Sequence, residues 1–221
     1  MQPLIIEHFI RNTMWLRLKT ITLCLFLVSC HFASGQSSFK RAGDFYALQV
    51  GNDLVTAYVF TEVSDFYEGK AWVNKGSLYG YIDTLGVSIT DFVYADVDRF
   101  IDGYAAVSRD TQDGLYGFVN EVGREVCDLK YNRIKPFENG FAAVQLDSNW
   151  TLIDTSGSEL MMPIFDYAPK VISDQFVIAV RANKWGVIDT ADRLKYPFVY
   201  DLITADGVAY LANKKVYLGL L

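Results

Sequence analysis

Gly140-Phe141-Ala142-Ala143-Val144-Gln145-Leu146-Asp147-Ser148-Asn149-Trp150-Thr151-Leu152-Ile153-Asp154-Thr155-Ser156-Gly157 is the stretch that decides the architecture of this chain. Ala142, Val144 and Leu146 fall on one face of an extended strand by two-residue alternation, and Phe141 and Ala143 fall on the other. Both faces are largely apolar, so the strand has to be covered on both sides, as stacked repeats provide. Asp147-Ser148-Asn149 is rich in turn formers and predicts a hairpin link, with Trp150–Asp154 returning as the antiparallel partner. Asp154-Thr155-Ser156-Gly157 then reads as a turn: the Asp side chain accepts a backbone N–H, and Gly takes a positive φ without strain. Ser158–Met162 is expected to form a third strand that ends before Pro163, completing a three-stranded meander.

Working outward, the same pattern recurs. Tyr79-Gly80-Tyr81-Ile82-Asp83, Tyr116-Gly117-Phe118-Val119-Asn120, Trp150 to Asp154 and Trp185-Gly186-Val187-Ile188-Asp189 begin 37, 34 and 35 residues apart. Ahead of them run Gly69-Lys70-Ala71-Trp72-Val73, Gly103 to Val107, Gly140 to Val144 and Gln175 to Ala179, and Gly207 to Leu211 supplies a fifth copy. A third column pairs two aromatics six residues apart: Phe60 with Phe66, Tyr94 with Phe100 and Tyr131 with Phe137, the first position continuing at Tyr167 and Tyr200. Turn glycines stand at Gly86, Gly123 and Gly157, with Asp192 in the next copy. Recurrence at this period marks a repeat architecture.

These columns resemble the WG-repeat (KWG-repeat) family, whose unit reads roughly Gly-x-Ala-x-Val, a short link, Trp-Gly-aromatic-Ile-Asp, a Gly turn, then Tyr-Asp and a Phe. The resemblance runs from about Phe60 to the end, although only Trp185-Gly186 is a literal Trp-Gly and Thr151 replaces the glycine once. It implies an exported or surface bacterial β-repeat protein, and it carries over no catalytic residue. Fold class is accordingly all-β: a tandem array of about five antiparallel meander repeats of ~35 residues over 44–221, with 36–43 as a short linker. An open solenoid is the favoured arrangement, and a closed, propeller-like ring is the alternative. Tyr79, Gly80, Asp83, Gly86, Tyr116, Gly117, Gly123, Trp150, Asp154, Gly157, Trp185, Gly186 and Asp189 are the structural anchors of the repeat. A glycine inside a strand costs roughly 0.5–1 kcal/mol against Ala, so Gly80, Gly117 and Gly186 imply close approach of a neighbouring ring or backbone.

The first 35 residues read as an export leader. Trp15-Leu16-Arg17-Leu18-Lys19 is a basic start, Ile21–Val28 is an apolar stretch too short to span a bilayer, and small residues follow. Met14 stands at the head of this leader and is a candidate start. Two processing sites compete: cleavage after Ala33-Ser34-Gly35, or a lipobox at Leu27-Val28-Ser29-Cys30 in which Cys30 becomes the lipidated first residue. The expected location is periplasmic or secreted, or lipid-anchored to the envelope through Cys30, with no other membrane attachment.

Composition narrows the chemistry. The chain carries 20 Lys and Arg against 26 Asp and Glu, a net charge of −6. It therefore lacks the positive field that nucleic acid requires. Both histidines, His8 and His31, precede residue 36, and Cys127 is the single cysteine after it. The domain thus offers no imidazole for a Ser-His-Asp or Cys-His triad or a His-ligated zinc, and no internal disulfide. Cys127 is expected in a strand over Arg124–Cys127 as a buried structural thiol. No cofactor or metal site is expected. Asp96, Asp98 and Asp102 near one turn are the carboxylates nearest to an acid–base pair. The link Ser108 to Leu115 is longer than its siblings, which makes Arg109, Asp110, Gln112 and Asp113 a candidate binding loop. The leading expectation is a non-enzymatic exported repeat domain that binds a protein or glycan at the bacterial cell envelope. The alternative is a carboxylate-dependent hydrolase acting on envelope polysaccharide.

Overall fold

The computed structural model describes residues 36–110, 112, 114–173, 176–212 and 214–220. The leader read at 1–35, with Met14 and Cys30, lies outside them. The described residues are all-β and form six small antiparallel sheets. The first holds β1 (Ser37–Ala42), β2 (Phe45–Val50) and β3 (Asp53–Leu54); the second holds β4 (Glu62–Val63), β5 (Lys70–Lys75) and β6 (Leu78–Asp83). The third and fourth are β7 (Asp96–Val97), β8 (Tyr104–Ser108), β9 (Tyr116–Asn120) and β10 (Arg133–Ile134), β11 (Phe141–Leu146), β12 (Asn149–Asp154). The fifth has four strands, β13 (Lys170–Val171), β14 (Phe176–Arg181), β15 (Lys184–Asp189) and β16 (Leu194–Tyr200). The sixth is β17 (Leu202–Ile203), β18 (Val208–Leu211) and β19 (Lys214–Tyr217). The array is one unit longer than five, because 36–43 is not a linker. β1 pairs residue for residue with β2, from Ser37 opposite Val50 to Ala42 opposite Phe45, and Tyr46-Ala47 stands where later hairpins carry Tyr-Gly.

The quoted hairpin forms as its pattern dictates, with Phe141 opposite Asp154 and Leu146 opposite Asn149, so that the link is Asp147-Ser148 and Asn149 already belongs to β12. Its two faces are both buried, against different neighbours. Ala142, Val144 and Ile153 pack with Phe118 of the preceding unit, with Tyr131 at the switch between the two units and with Phe137 of their own connection. Ala143, Trp150 and Leu152 pack with Val177, Ala179 and Ile188 of the following one. Val144 and Ile153 are fully buried, each worth about 1.5–3 kcal/mol against exposure.

Units are joined by a backbone hand-over. Tyr94 exchanges N–H and C=O bonds with Tyr79 of the second sheet, and the next residue, Ala95, donates its N–H to Ser108 O of the third. Tyr131 and Asn132 do the same between Tyr116 and Gln145, and Phe165 and Asp166 between Trp150 and Val180. Each connection is thus the last strand of one sheet and the first of the next. The hand-over residue is an aromatic, buried at Phe60, Tyr94, Tyr131 and Phe165. In the fourth copy it is Phe165, not Tyr167, which is 61% exposed. Val171, six residues after Phe165, fills the place of Phe100 and Phe137. Tyr94 and Tyr131 also donate their hydroxyls to Glu125 and Glu159 of the next return segment, at 2.9 and 3.0 Å. Among the described residues, none of the hydrogen bonds, ion pairs or ring contacts joins the first sheet to the last, which is the arrangement of an open array.

The expected third strand is only partly realised, and the reason is geometric. Ile153 bridges Glu159 and Trp150 bridges Phe165, so three steps along β12 face six along the returning chain. The same ratio holds from Ile82 and Ser88 to Tyr79 and Tyr94, and from Val119 and Glu125 to Tyr116 and Tyr131. Three extra residues bulge outward, so Ser158–Met162 pairs at one point in place of a ladder. Arg124–Cys127 likewise pairs only at Glu125 and is not a strand. The bulge explains the strand glycine. A Cβ on Gly186 would lie 2.7 Å from the Phe198 ring, and one on Gly80 2.9 Å from the Asp91 carbonyl oxygen. Thr151 is tolerated in this place because its buried hydroxyl donates to the Met161 carbonyl at 2.7 Å.

The turn after each hairpin seats one unit on the last. Gly157 has φ +82°, and a Cβ there would meet the Val126 carbonyl oxygen at 1.9 Å. Gly140, at φ +81°, has open space around it. It is not the first strand residue, as read from the sequence, but the second of a two-residue Asn139-Gly140 turn with both φ values positive. Gly140→Ala is therefore expected to cost about 1–2 kcal/mol from the left-handed backbone alone. Gly157→Ala adds overpacking between units and should cost at least about 1 kcal/mol more. Urea midpoints of the two variants compare them directly, and equal losses would exclude the packing contribution. Gly186→Val is likewise expected to lower the midpoint by more than about 1 kcal/mol of stability, through contact with the Phe198 ring.

Candidate functional site: a trough along the leading strands

The two-residue strands that open the second to sixth sheets lie at the edge of their hairpins, and clefts form between them and their neighbours. One cleft, of about 880 Å³, is lined by Ser64, Asp65, Phe66, Trp72, Asp98 and Arg99 among others. The next, about 440 Å³, is lined by Asp96, Asp98, Tyr116, Arg133, Lys135 and Trp150, with Val97, Ala106 and Ile134 beneath. A third, about 540 Å³, includes Asp102, Lys135, Phe137, Glu138, Phe141 and Lys170. Asp98 belongs to the first two and Lys135 to the last two, and Ser37, Ser38 and Phe39 of the first sheet also line the first, so the clefts run into one trough across the first to fifth units. Clefts of this size suit ligand binding.

Register explains which side chains point here. Opposite each hairpin's first strand stand two columns, Glu62, Asp96 and Arg133, then Ser64, Asp98, Lys135 and Lys170. Asp96 accepts the Tyr116 hydroxyl at 2.7 Å, and that bond, ahead of burial, raises the Tyr116 phenol above its ordinary pKa. Tyr79 donates to Glu62 at 2.6 Å in the same way. Asp98 Oδ1 accepts the Arg99 N–H at 2.7 Å, and the Arg99 guanidinium sits over the Tyr67 ring at 4.9 Å. Arg133 and Lys135 are exposed.

Asp83, Asp154 and Asp189 each accept two or more backbone N–H groups of their own turn, as Asn120 does in the third unit. Tyr116 and Trp150 line the trough as well, and Tyr79 and Trp185 are half-buried. The longer link is engaged with its own fold. Arg109 pairs with Glu125 at 2.8 Å, and the Asp110 carboxylate accepts the Gln112 N–H at 2.7 Å. Asp113 lies outside the described residues, and no described residue of this link lines the trough. Asp96 and Asp98 share a cleft, whereas the Asp102 N–H is bound by Glu68 in a turn. Burial raises the half-buried Cys127 thiol, which disfavours its reactive thiolate. Among the described residues no three His, Cys, Asp or Glu side chains are grouped to hold a metal. The trough itself was missed by sequence reading, although the charge sequence down its columns is visible once the hand-over residues are aligned.

The WG-containing-repeat family model matches residues 52–79, 79–110 and 116–150, the same family that the repeat columns resemble. Comparison with curated proteins gives no match. Among solved structures the chain is similar to Kluyvelomyces marxianus Hsv2, with 9% identity over 59% of this chain and 48% of that one and a TM-score of 0.34. It is similar also to Kluyveromyces lactis Hsv2p, with 11% identity over 71% and 59% and a TM-score of 0.39. The chain thus spans less than two thirds of either structure's length.

The turn carboxylates make acid stability predictable. Burial pushes the Asp154 carboxyl up, but the Ser156 hydroxyl and the N–H groups of Ser158, Ser156 and Gly157 together outweigh it and hold it below its ordinary value. The Arg193 N–H, ahead of its guanidinium, lowers Asp189 likewise. A lowered folded pKa stabilises above the ordinary carboxylate range, and the stabilisation is lost as pH falls through the folded value. Urea midpoints should therefore fall between about pH 5 and pH 2, and Asp154→Asn should flatten that fall while folding normally, since Asn120 fills the same role.

Proposed function

We propose that this chain is a non-enzymatic β-repeat module that holds an extended protein or glycan chain in its trough at the bacterial cell envelope. The observation that carries the reading is the continuity of the clefts across the first to fifth units through shared Asp98 and Lys135. An extended ligand meets many shallow contacts along such a surface, as repeat arrays commonly arrange. The carboxylates of the trough serve as hydrogen-bond acceptors for Tyr116 and for the Arg99 backbone. Export is supported by the leader pattern ending at Gly35 or Cys30.

Two measurements test this reading. Expression of the full chain in a bacterium with a periplasm should give a product whose mass corresponds to loss of 1–35, or to a lipidated Cys30; an unprocessed cytoplasmic product overturns the location. For binding, Asn132 is an exposed lining residue whose backbone alone is used in the fold. Asn132→Trp should obstruct the middle cleft and reduce retention of envelope proteins or polysaccharides on the immobilised chain by at least about fivefold. Equal retention by both forms would remove the trough as the binding surface.

A further inference from the structure

The trough changes sign along its length. In the first column Glu62 and Asp96 are followed by Arg133; in the second, Asp98 is followed by Lys135 and Lys170. The reversal falls inside the middle cleft, where Asp96 and Asp98 come from the third unit and Arg133 and Lys135 from the fourth. These four side chains share one cavity, yet none of the ion pairs among the described residues joins them. Those pairs are Lys70 with Glu121, Arg109 with Glu125, Lys130 with Glu159, Lys184 with Asp201 and Arg193 with Asp189. Among the described residues the Arg133 and Lys135 side chains donate to no internal partner, so two cations and two carboxylates line the same groove without pairing.

We infer that the trough's occupant is an extended peptide segment carrying a basic side chain and, nearby, an acidic one, the basic group over Asp96 and Asp98 and the acidic group over Arg133 and Lys135. This rests on the reading of the trough as a binding surface and names the partner's chemistry. A polyanionic chain would be attracted to one wall and repelled by the other, and a polycation the reverse; a neutral glycan would leave all four charges uncompensated. A peptide with both signs satisfies both walls. Val97, Ala106 and Ile134, with the Tyr116 and Trp150 rings, provide apolar surface for the aliphatic stems of such side chains.

The test is isothermal titration of the full chain with capped hexapeptides in which Lys and Glu are separated by one, two or three Ser residues. Parallel titrations use all-Ser, Lys-only and Glu-only peptides, cellohexaose and a galacturonate hexamer. At least one Lys–Glu peptide should bind about fivefold or more tighter than every single-signed or neutral probe, and the preference should shrink in high salt. Asp98→Asn and Lys135→Gln should each weaken it about two- to fivefold. Asn keeps the acceptor for the Arg99 N–H and Lys135 has no internal partner, so both variants should fold, which matched near-ultraviolet circular dichroism checks. The fourfold variant Asp96→Asn, Asp98→Asn, Arg133→Gln, Lys135→Gln should no longer distinguish the Lys–Glu peptide from the all-Ser one. Lack of preference in the unaltered chain, or preference retained in the fourfold variant, overturns the inference. If an oligosaccharide binds and Asn132→Trp blocks it while no peptide does, the peptide assignment falls and the binding reading stands. If no probe binds and Asn132→Trp leaves envelope retention unchanged, both fall.

Discussion

Everything in this molecule depends on the hand-over of one chain segment between two sheets. A single residue, such as Tyr94, closes the ladder of the second hairpin, and its neighbour Ala95 opens the ladder of the third. The connecting peptide is thereby hydrogen-bonded on successive residues to two different units, which satisfies backbone groups that a free linker would leave to water. It also fixes the phase of each unit against the last, because the aromatic at the switch is buried between them. Face-to-face packing follows: once Tyr131 is placed, the hairpin of β11 and β12 has one face against Phe118 and Phe137 and the other against Val177 and Ile188. A hairpin alone exposes two apolar faces and would not be stable.

The hairpins were legible because their signal is local. Alternation in Phe141–Leu146, the turn after Asp154 and the Tyr-Gly or Trp-Gly pairs all lie within a dozen residues. What sequence reading placed wrongly needed the partner strand to be seen. Tyr167 looks like the fourth hand-over aromatic by type, but Phe165 holds the position, since pairing with Trp150 and not spacing selects it. Residues 36–43 read as a linker because Ser-Ser-Phe-Lys-Arg-Ala lacks the Gly-x-Ala-x-Val pattern of later first strands, yet β1 forms because Phe45–Val50 needs a partner along its whole length. Asn139-Gly140 and Asp102-Gly103 carried a hairpin-turn signal that the repeat alignment obscured by assigning the glycine to the strand.

The trough was less legible for a different reason. Its columns are set by the hand-over register, so the residues that line it alternate with buried ones in segments only two residues long. Internal repetition then separates constraint from freedom within one chain. The positions of the turn carboxylate and turn glycine return nearly unchanged from unit to unit, whereas the trough columns run through Glu, Asp and Arg, and through Ser, Asp, Lys and Lys. Variation at a structurally equivalent exposed position costs the fold little, and that is where binding specificity is free to be written.

The three-against-six pairing of each return segment carries a consequence for how such a chain changes size. Because the bulge, the strand threonine or glycine beneath it and the aromatic at the switch must all arrive in step, losing a few residues from a connection would bring the wrong side chain to the junction and turn each face of the next hairpin toward the wrong neighbour. Removing or adding a whole unit leaves every junction as it was. Length in this architecture is therefore quantised in steps of about one repeat, and the polarity along the trough would be redrawn one unit at a time by recombination, without any junction being rebuilt.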